Sequence, residues 1–321
     1  MRDLRAVVFA YSEVGHACLK ELLNQGTTVQ AVFTHKDNRS ETLWFPSVAA
    51  LAREAGIPVF IPDALGDEEY ALVRSLRPDV LFSFYYRSMI AERFLAIPPK
   101  GAFNMHGSLL PKYRGRACVN WAVLNGETTT GATLHHMVRR ADAGDIVDRE
   151  AVPILPDDTA LDVSRKVAEA AWTILRRTLP LIALGAAPRT PQNEAEATYF
   201  GRRTPADGLI DWRAGAAAVH DLVRAVTRPF PGAFTFLRGK KLFVWRTLVE
   251  GPRTPGLAAA DAASRMDIPS GKVLSLAPFR IASGGGVVRI LEWQPEENAV
   301  EQAIREGDIL GAAAEGESRP S

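Results

Sequence analysis

Over the first 185 or so positions, short solid hydrophobic runs alternate with stretches in which apolar residues recur at helical spacing. Arg5–Ala10 reads RAVVFA, the pattern of a strand covered on both faces. Val14, Cys18, Leu19, Leu22 and Leu23 then recur at helical spacing and predict a helix over Glu13–Asn24. The alternation continues with strands predicted at Val29–Thr34, Pro58–Ile61 and Asp79–Phe84, and helices near Ser47–Ala55 and Glu68–Leu76. Strands at Gly101–His106, Thr130–Val138 and Ile146–Ile154 follow, and then a long helix from Thr159 to about Leu184. Such alternation predicts an α/β fold, a Rossmann-like domain with a parallel-rich sheet covered by helices.

After Gly185 the pattern changes. The segment AAPRTPQNEAEATYFGRRTPADG is polar, rich in proline and without periodicity, which marks it as the linker candidate. Beyond it a helix is predicted over Ala216–Val226, and FTFLRG, KLFVWR, GKVLSL and VVRILEW read as short strands separated by Gly and Pro turns. The expected organisation is therefore an N-terminal domain over 1–186, a linker over 187–204, a small β-rich, barrel-like domain over 205–310, and a small polar tail over 311–321.

Composition narrows the partners. Lys and Arg total 38 against 37 acidic residues, so no general positive field favours nucleic acid. No apolar run approaches the roughly 20 residues that a membrane-spanning helix needs, so no membrane insertion is expected. Only Cys18 and Cys118 are present, neither in a metal-binding pattern, and no signal-peptide core opens the chain; a cytoplasmic enzyme without a metal is the expectation. The turn after the first strand, Ala-Tyr-Ser-Glu-Val-Gly, lacks the three-glycine spacing of a dinucleotide site. His16, His135, His136 and His220 have no partners at metal-ligand spacing.

The chemistry concentrates in Phe103-Asn104-Met105-His106. Alternation along a strand sends Asn104 and His106 to one face, and the following Gly-Ser-Leu-Leu-Pro-Lys-Tyr-Arg-Gly-Arg run predicts an irregular loop at the strand end, where α/β sheets build their sites. A second polar turn, Arg139-Arg140-Ala141-Asp142-Ala143-Gly144-Asp145, offers an acid to orient the histidine, with Asp142 preferred to Asp145. An amide donor for an oxyanion, an imidazole and a carboxylate that raises the imidazole pKa together suit acyl transfer to an amine.

The block FNMHGSLLPKYRGRACVNWAVLNGETTTGATLHHMVRRADAGDIV resembles the signature region of the folate-dependent formyltransferases. That resemblance implies a Rossmann-like formyl-transfer domain, a C-terminal barrel-like domain and 10-formyltetrahydrofolate as formyl donor. It implies catalysis by Asn104, His106 and Asp142. It also implies a folate pocket lined by Ser88, Met89 and Ile90 after FSFYYR, and by Val138, Arg139, Arg140, Ala141 and Asp142, partly through backbone groups.

Within the family, VVFAYSEVG, VFTHKDN, FSFYYR, HHMVRRADAG, FGRRTP and PFPGAF resemble the branch that formylates UDP-4-amino-4-deoxy-L-arabinose, a step in lipid A modification and polymyxin resistance. A uridine diphosphate acceptor implies fixed cations, for which Arg116, Arg202 and Arg203 are candidates. Lys112, Tyr113 and Arg114 are read as structural loop residues, and His35, Lys36 and Asp37 equally as a pocket border or a polar turn. Enzymes of that branch are commonly fused to an NAD-dependent decarboxylase; this chain ends at Ser321, so the formyl-transfer half is expected to stand alone, with a separate decarboxylase as a candidate partner. The sequence leaves the oligomeric state open.

The rivals are methionyl-tRNA formyltransferase, other amino-sugar nucleotide N-formyltransferases, formyltetrahydrofolate hydrolase and a non-catalytic binding protein on the same scaffold. A tRNA enzyme predicts a basic C-terminal domain, yet residues 205–321 hold 14 basic and 14 acidic residues. The loop HKDNRSETLWFPS likewise balances two basic against two acidic side chains.

Overall fold

The computed structural model describes residues 4–37, 42–251, 268–296 and 304–311. Of the expected tail, positions 312–321 lie outside the described residues, as do positions 38–41 of the loop after the second strand. The chain divides into two compact units: 1–119, 129–154 and 162–202 form one, and 120–128, 155–161 and 203–321 the other.

The first unit is built on β1 (Arg5–Ala10), α1 (Ser12–Asn24), β2 (Thr28–Phe33), α2 (Val48–Glu54), β3 (Val59–Phe60), α3 (Asp67–Leu76), β4 (Val80–Phe84), α4 (Glu92–Leu95) and β5 (Ala102–His106). Then come β6 (Arg114–Gly115), α5 (Cys118–Leu124), β7 (Thr129–His136), β8 (Ile146–Pro153), α6 (Ala160–Ala183) and β9 (Tyr199–Phe200). Local chemistry sets the helix starts. Ser47 Oγ accepts from Ala50 N–H at α2, and α3 opens on Asp67, Glu68 and Glu69, whose negative charge complements the positive end of the helix dipole.

Seven strands form one sheet in the order β3-β2-β1-β4-β5-β7-β8. The first five run parallel, β7 is antiparallel to β5 and β8 antiparallel to β7, so the sheet is mixed but parallel-rich. Residues Ala6 to Ala10 are all buried, as a central parallel strand covered on both faces requires. One core cluster gathers Val7, Phe9, Ala31, Phe33, Val73, Leu81, Ile90 and Phe94, with Phe9 stacked on Phe33 at 4.7 Å. Burying a side chain of this kind stabilises by about 1.5–3 kcal/mol. The chain turns from β1 to one side and crosses back to β4 on the other, so β1 and β4 flank the topological switch point.

The polar segment after α6 is held against the first unit. Thr190 bridges Ile146, Pro188 O accepts from His136 Nε2, and β9 pairs in parallel with β6.

The second unit carries α7 (Ala216–Val226), β10 (Ala233–Leu237), β11 (Lys240–Glu250), β12 (Val273–Leu276), β13 (Phe279–Ser283) and β14 (Gly286–Pro295). Its five antiparallel strands lie in the order β10-β11-β14-β13-β12. Ile309 bridges Lys272 beside β12 and Gly311 bridges Phe236 in β10, so this short segment links the two edges in barrel-like fashion.

Candidate active site

β5 ends on His106, and antiparallel pairing with β7 sets Asn104 opposite His135 and His106 opposite Thr133. Phe103 and Met105 point to the other face and are buried, which fixes the register that aims Asn104 and His106 into one space. Into that space comes Asp142. Its Oδ1 lies 3.4 Å from Asn104 Nδ2, 3.6 Å from His106 Nδ1 and 3.6 Å from His135 Nε2, while its Oδ2 accepts from Gly115 N–H at 2.9 Å. Asp145, the other acid of the turn, pairs with Arg189 instead.

His106 is 6 % exposed, and its Nε2 donates to the Tyr113 carbonyl at 2.8 Å. A carbonyl only accepts, so Nε2 carries hydrogen and Nδ1 faces the carboxylate. Burial disfavours charge on the ring, but Asp142, Cys118 and the Tyr113 carbonyl outweigh it and push the pKa up to about 10. Burial also disfavours the Asp142 carboxylate, yet His106, the His135 contacts and Gly115 N–H hold it well below the usual range. At neutral pH the site therefore holds a buried imidazolium–carboxylate pair.

His135 completes the cluster. Its Nδ1 donates to the His136 carbonyl at 2.9 Å, and its Nε2 lies 3.0 Å from Asn104 Nδ2 and 3.6 Å from Asp142 Oδ1. A carboxylate oxygen only accepts, so the Asp142 contact at 3.4 Å sets the Asn104 amide with its nitrogen toward Asp142. His135 was absent from the residues singled out by motif, because its place opposite Asn104 depends on a cross-strand register that spacing alone does not reveal.

The backbone here is unusual. Tyr113, Ala117 and Asp142 are among the non-glycine residues that hold backbone at positive φ, with Asp142 at 55°. Such conformations cost about 1–3 kcal/mol each and persist where the surroundings hold them. The turn carrying Asp142 also requires Gly144, since a Cβ there would fall 1.8 Å from the His136 carbonyl oxygen. Gly115, at φ 100°, meets the same limit against the Phe200 carbonyl at 2.2 Å.

The implied folate residues are placed as follows. Met89 and Val138 are exposed apolar side chains, at 65 % and 45 %, and Ser88, Arg139 and Ala141 are also exposed. Ile90 is buried in the core cluster, so only its backbone can face a ligand. Arg140 turns its guanidinium to Glu194 and over the Tyr199 ring.

Of the expected phosphate cations, Arg116 is exposed and donates from Nη2 to the Arg87 carbonyl at 3.0 Å. Arg87 in turn lies over the Tyr11 ring, 4.6 Å from its centroid, beside the switch point. A cavity of about 360 Å³ opens there, lined by Tyr11, His35, Asp37, Phe45, Ser47 and Arg53 among others. Arg202 is exposed in the first unit. Arg203 belongs to the second, where its guanidinium covers the Trp121 ring and donates to the Asp207 carbonyl. Lys112 is exposed, Tyr113 stacks on Phe200, and Arg114 is fully buried, bound to Gln192, Glu194 and Tyr199.

Among the described residues no cluster of His, Cys, Asp and Glu could hold a metal ion, and no helix is long and apolar enough to cross a membrane.

A doubly wound sheet thus carries a buried imidazole, an amide and a carboxylate together at a strand end, side-chain chemistry that suits group transfer. Residues 4–179 match the family described as formyl transferase and residues 202–304 its C-terminal domain, so the chain belongs to the formyl transferase family and is a formyl-transferring enzyme. Solved structures share the fold. WlaRD, a sugar 3N-formyl transferase determined in the presence of dTDP and 5-N-formyl-THF, superposes with a TM-score of 0.67 at 17% identity over 93% of this chain and 100% of that one. An N-formyltransferase from Helicobacter canadensis, in complex with folinic acid and dTDP-3-aminofucose, gives 0.67 at 19% identity over 91% and 100%. A 4-N formyltransferase from Francisella tularensis gives 0.61 at 22% identity over 75% and 96%.

Proposed function

We propose that the enzyme transfers a formyl group from 10-formyltetrahydrofolate to the 4-amine of UDP-4-amino-4-deoxy-L-arabinose. The observation that carries formyl transfer is the meeting of Asn104, His106 and His135 on one carboxylate, Asp142. The acceptor class is supported by the WlaRD and Helicobacter canadensis enzymes, whose structures hold dTDP or a dTDP-amino sugar together with a formyl-folate. The particular sugar rests on the sequence motifs given above, and its formamido product would serve lipid A modification and polymyxin resistance.

In the proposed mechanism Asn104, with its nitrogen toward Asp142, offers Oδ1 to the neutral amine and orients its lone pair toward the formyl carbon. Attack forms a carbon–nitrogen bond and places negative charge on the formyl oxygen beside the His106 imidazolium, which stabilises it in a site largely closed to water. The bond to folate N10 then breaks. Both N–H groups of His106 are directed at Tyr113 and Asp142, so its part is the fixed positive charge; the proton that the former amine loses passes to the departing N10, and no proton is gained or lost overall. Asp142 keeps the imidazole charged and aimed.

Met89 and Val138 supply exposed apolar surface that suits a pterin ring, with backbone at Ser88 and Ile90 beside it. Arg116 and Arg87 suit the diphosphate, and the neighbouring cavity of about 360 Å³ suits its nucleoside. A dTDP-amino sugar is the second reading, favoured by the ligand of the Helicobacter canadensis enzyme.

A matched assay tests the assignment by offering 10-formyltetrahydrofolate with the UDP-arabinose amine, a dTDP-amino sugar, methionyl-tRNA or water alone. Fastest turnover with the UDP sugar is expected. Preference for methionyl-tRNA, or formate release without any acceptor, would overturn it.

A further inference from the structure

Asp142 is held from two sides by neighbouring residues of one short strand. Gly115 N–H donates to its carboxylate, as described above. The other hold acts on the backbone and passes through Gln192, whose Nε2 donates to the Asp142 carbonyl at 2.8 Å and to the Gly144 carbonyl at 2.7 Å. Both amide hydrogens of Gln192 are thereby used on the turn that carries the carboxylate.

The polarity of that amide is fixed from behind. Gln192 Oε1 accepts from Arg114 Nε at 3.1 Å and Nη2 at 2.7 Å, and a guanidinium can only donate. Arg114 has no solvent exposure, and Glu194 grips it with both oxygens at 2.6 and 3.1 Å while Tyr199 Oη accepts from Nη1. Arg140 adds a second cation to Glu194. A buried guanidinium is costly unless every donor is met, so this arrangement resists rearrangement. The adjoining residues run alongside the turn, with Thr190 bridging Ile146.

We infer that Gln192 is a positioning residue for formyl transfer: it holds the left-handed Asp142 turn so that the carboxylate stays against His106, Asn104 and His135. This role rests on the catalytic reading of Asp142 proposed above. Gln192 touches no reacting group itself; it acts through the aspartate. It explains why a polar, aperiodic segment far along the chain carries Gln192 and Glu194, which no local structural pattern requires.

The charge on His106 reports the geometry. Asp142, Cys118 and the Tyr113 carbonyl raise the charge on that ring, and Gln192 bonds the backbone of Asp142. Gln192→Leu removes the amide at similar volume, and Gln192→Asn keeps an amide too short to reach both carbonyls. Each should lower kcat by roughly tenfold to a hundredfold, as small misplacements of catalytic groups do. Each should shift the basic limb of the kcat profile down from about 10 by roughly one unit or more. Should Gln192→Leu fail to fold, Gln192→Asn carries the test. Wild-type kcat and basic limb in the folded variants would overturn the inference. Asp142→Asn run in parallel separates the two claims: if it too is fully active, the catalytic reading fails, whereas an inactive Asp142→Asn beside a wild-type-like Gln192 variant defeats only the role of Gln192.

Discussion

Each catalytic candidate is defined by what its neighbours leave it free to do. Asn104→Ala removes the amide that Asp142 orients, and His106→Ala removes the buried cation; either should lower kcat by about a hundredfold or more in a steady-state assay. Asp142→Asn acts through His106. Without the carboxylate, burial of the ring dominates, so the imidazole pKa should fall from about 10 to its ordinary 6.5 or below, and activity should be lost near neutral pH instead of at high pH. The same pair links pH to stability. Because the folded-state pKa of His106 is raised, its contribution is complete below about 6.5 and is lost as pH rises through about 10. The Asp142 pKa is depressed, so its contribution is complete above its ordinary 3.8 and is lost only as pH falls below that value. Urea midpoints measured at pH 7 and pH 10 should therefore differ more for wild type than for His106→Ala. At this scale the sequence showed the chemistry that local spacing can carry. Asn104 and His106 lie two apart on one strand, so their common face was legible. His135 was not, because only the pairing of β5 with β7 brings it opposite Asn104.

Elements impose their own limits. The turn between β7 and β8 carries Asp142 past the His136 carbonyl with no room for a side chain at Gly144. Gly144→Ala should destabilise by about 1–3 kcal/mol in urea unfolding and depress kcat together with it, because relieving the clash moves Asp142. The long helix α6 and the strands of the main sheet were readable from hydrophobic period. β13, at Phe279–Ser283, was missed because it is five residues long and enclosed by Pro278 and a run of glycines. The two-residue strands β6 and β9 were missed for a deeper reason. They pair across more than eighty positions, and Arg114, which reads as a loop charge in sequence, is the buried anchor between them.

The whole molecule combines the match of both family regions with a balanced charge and a cation pair, Arg87 and Arg116, beside the switch point. A ligand that binds only the folded state at a hundred times its Kd stabilises by about 2.7 kcal/mol. UDP and a formyl-folate should therefore each raise the Tm of the protein. Arg116→Ala should weaken the effect of UDP and raise the KM of the sugar nucleotide while leaving that of the folate unchanged. Equal loss of both ligands would assign Arg116 a structural role instead. The α/β class and the β-rich second unit were visible in the order of elements, whereas the antiparallel pairing of β7 with β5 and β8 was not, since a strand pattern carries no direction.

The central claim is most directly tested by tracing a labelled formyl carbon from 10-formyltetrahydrofolate in the presence of UDP-4-amino-4-deoxy-L-arabinose, with wild type and Asn104→Ala side by side. The label should appear in the 4-formamido sugar nucleotide with wild type, one formyl group per folate consumed, and at a rate about a hundredfold or more lower with the variant. Label recovered as formate, or transfer undiminished in Asn104→Ala, would contradict it.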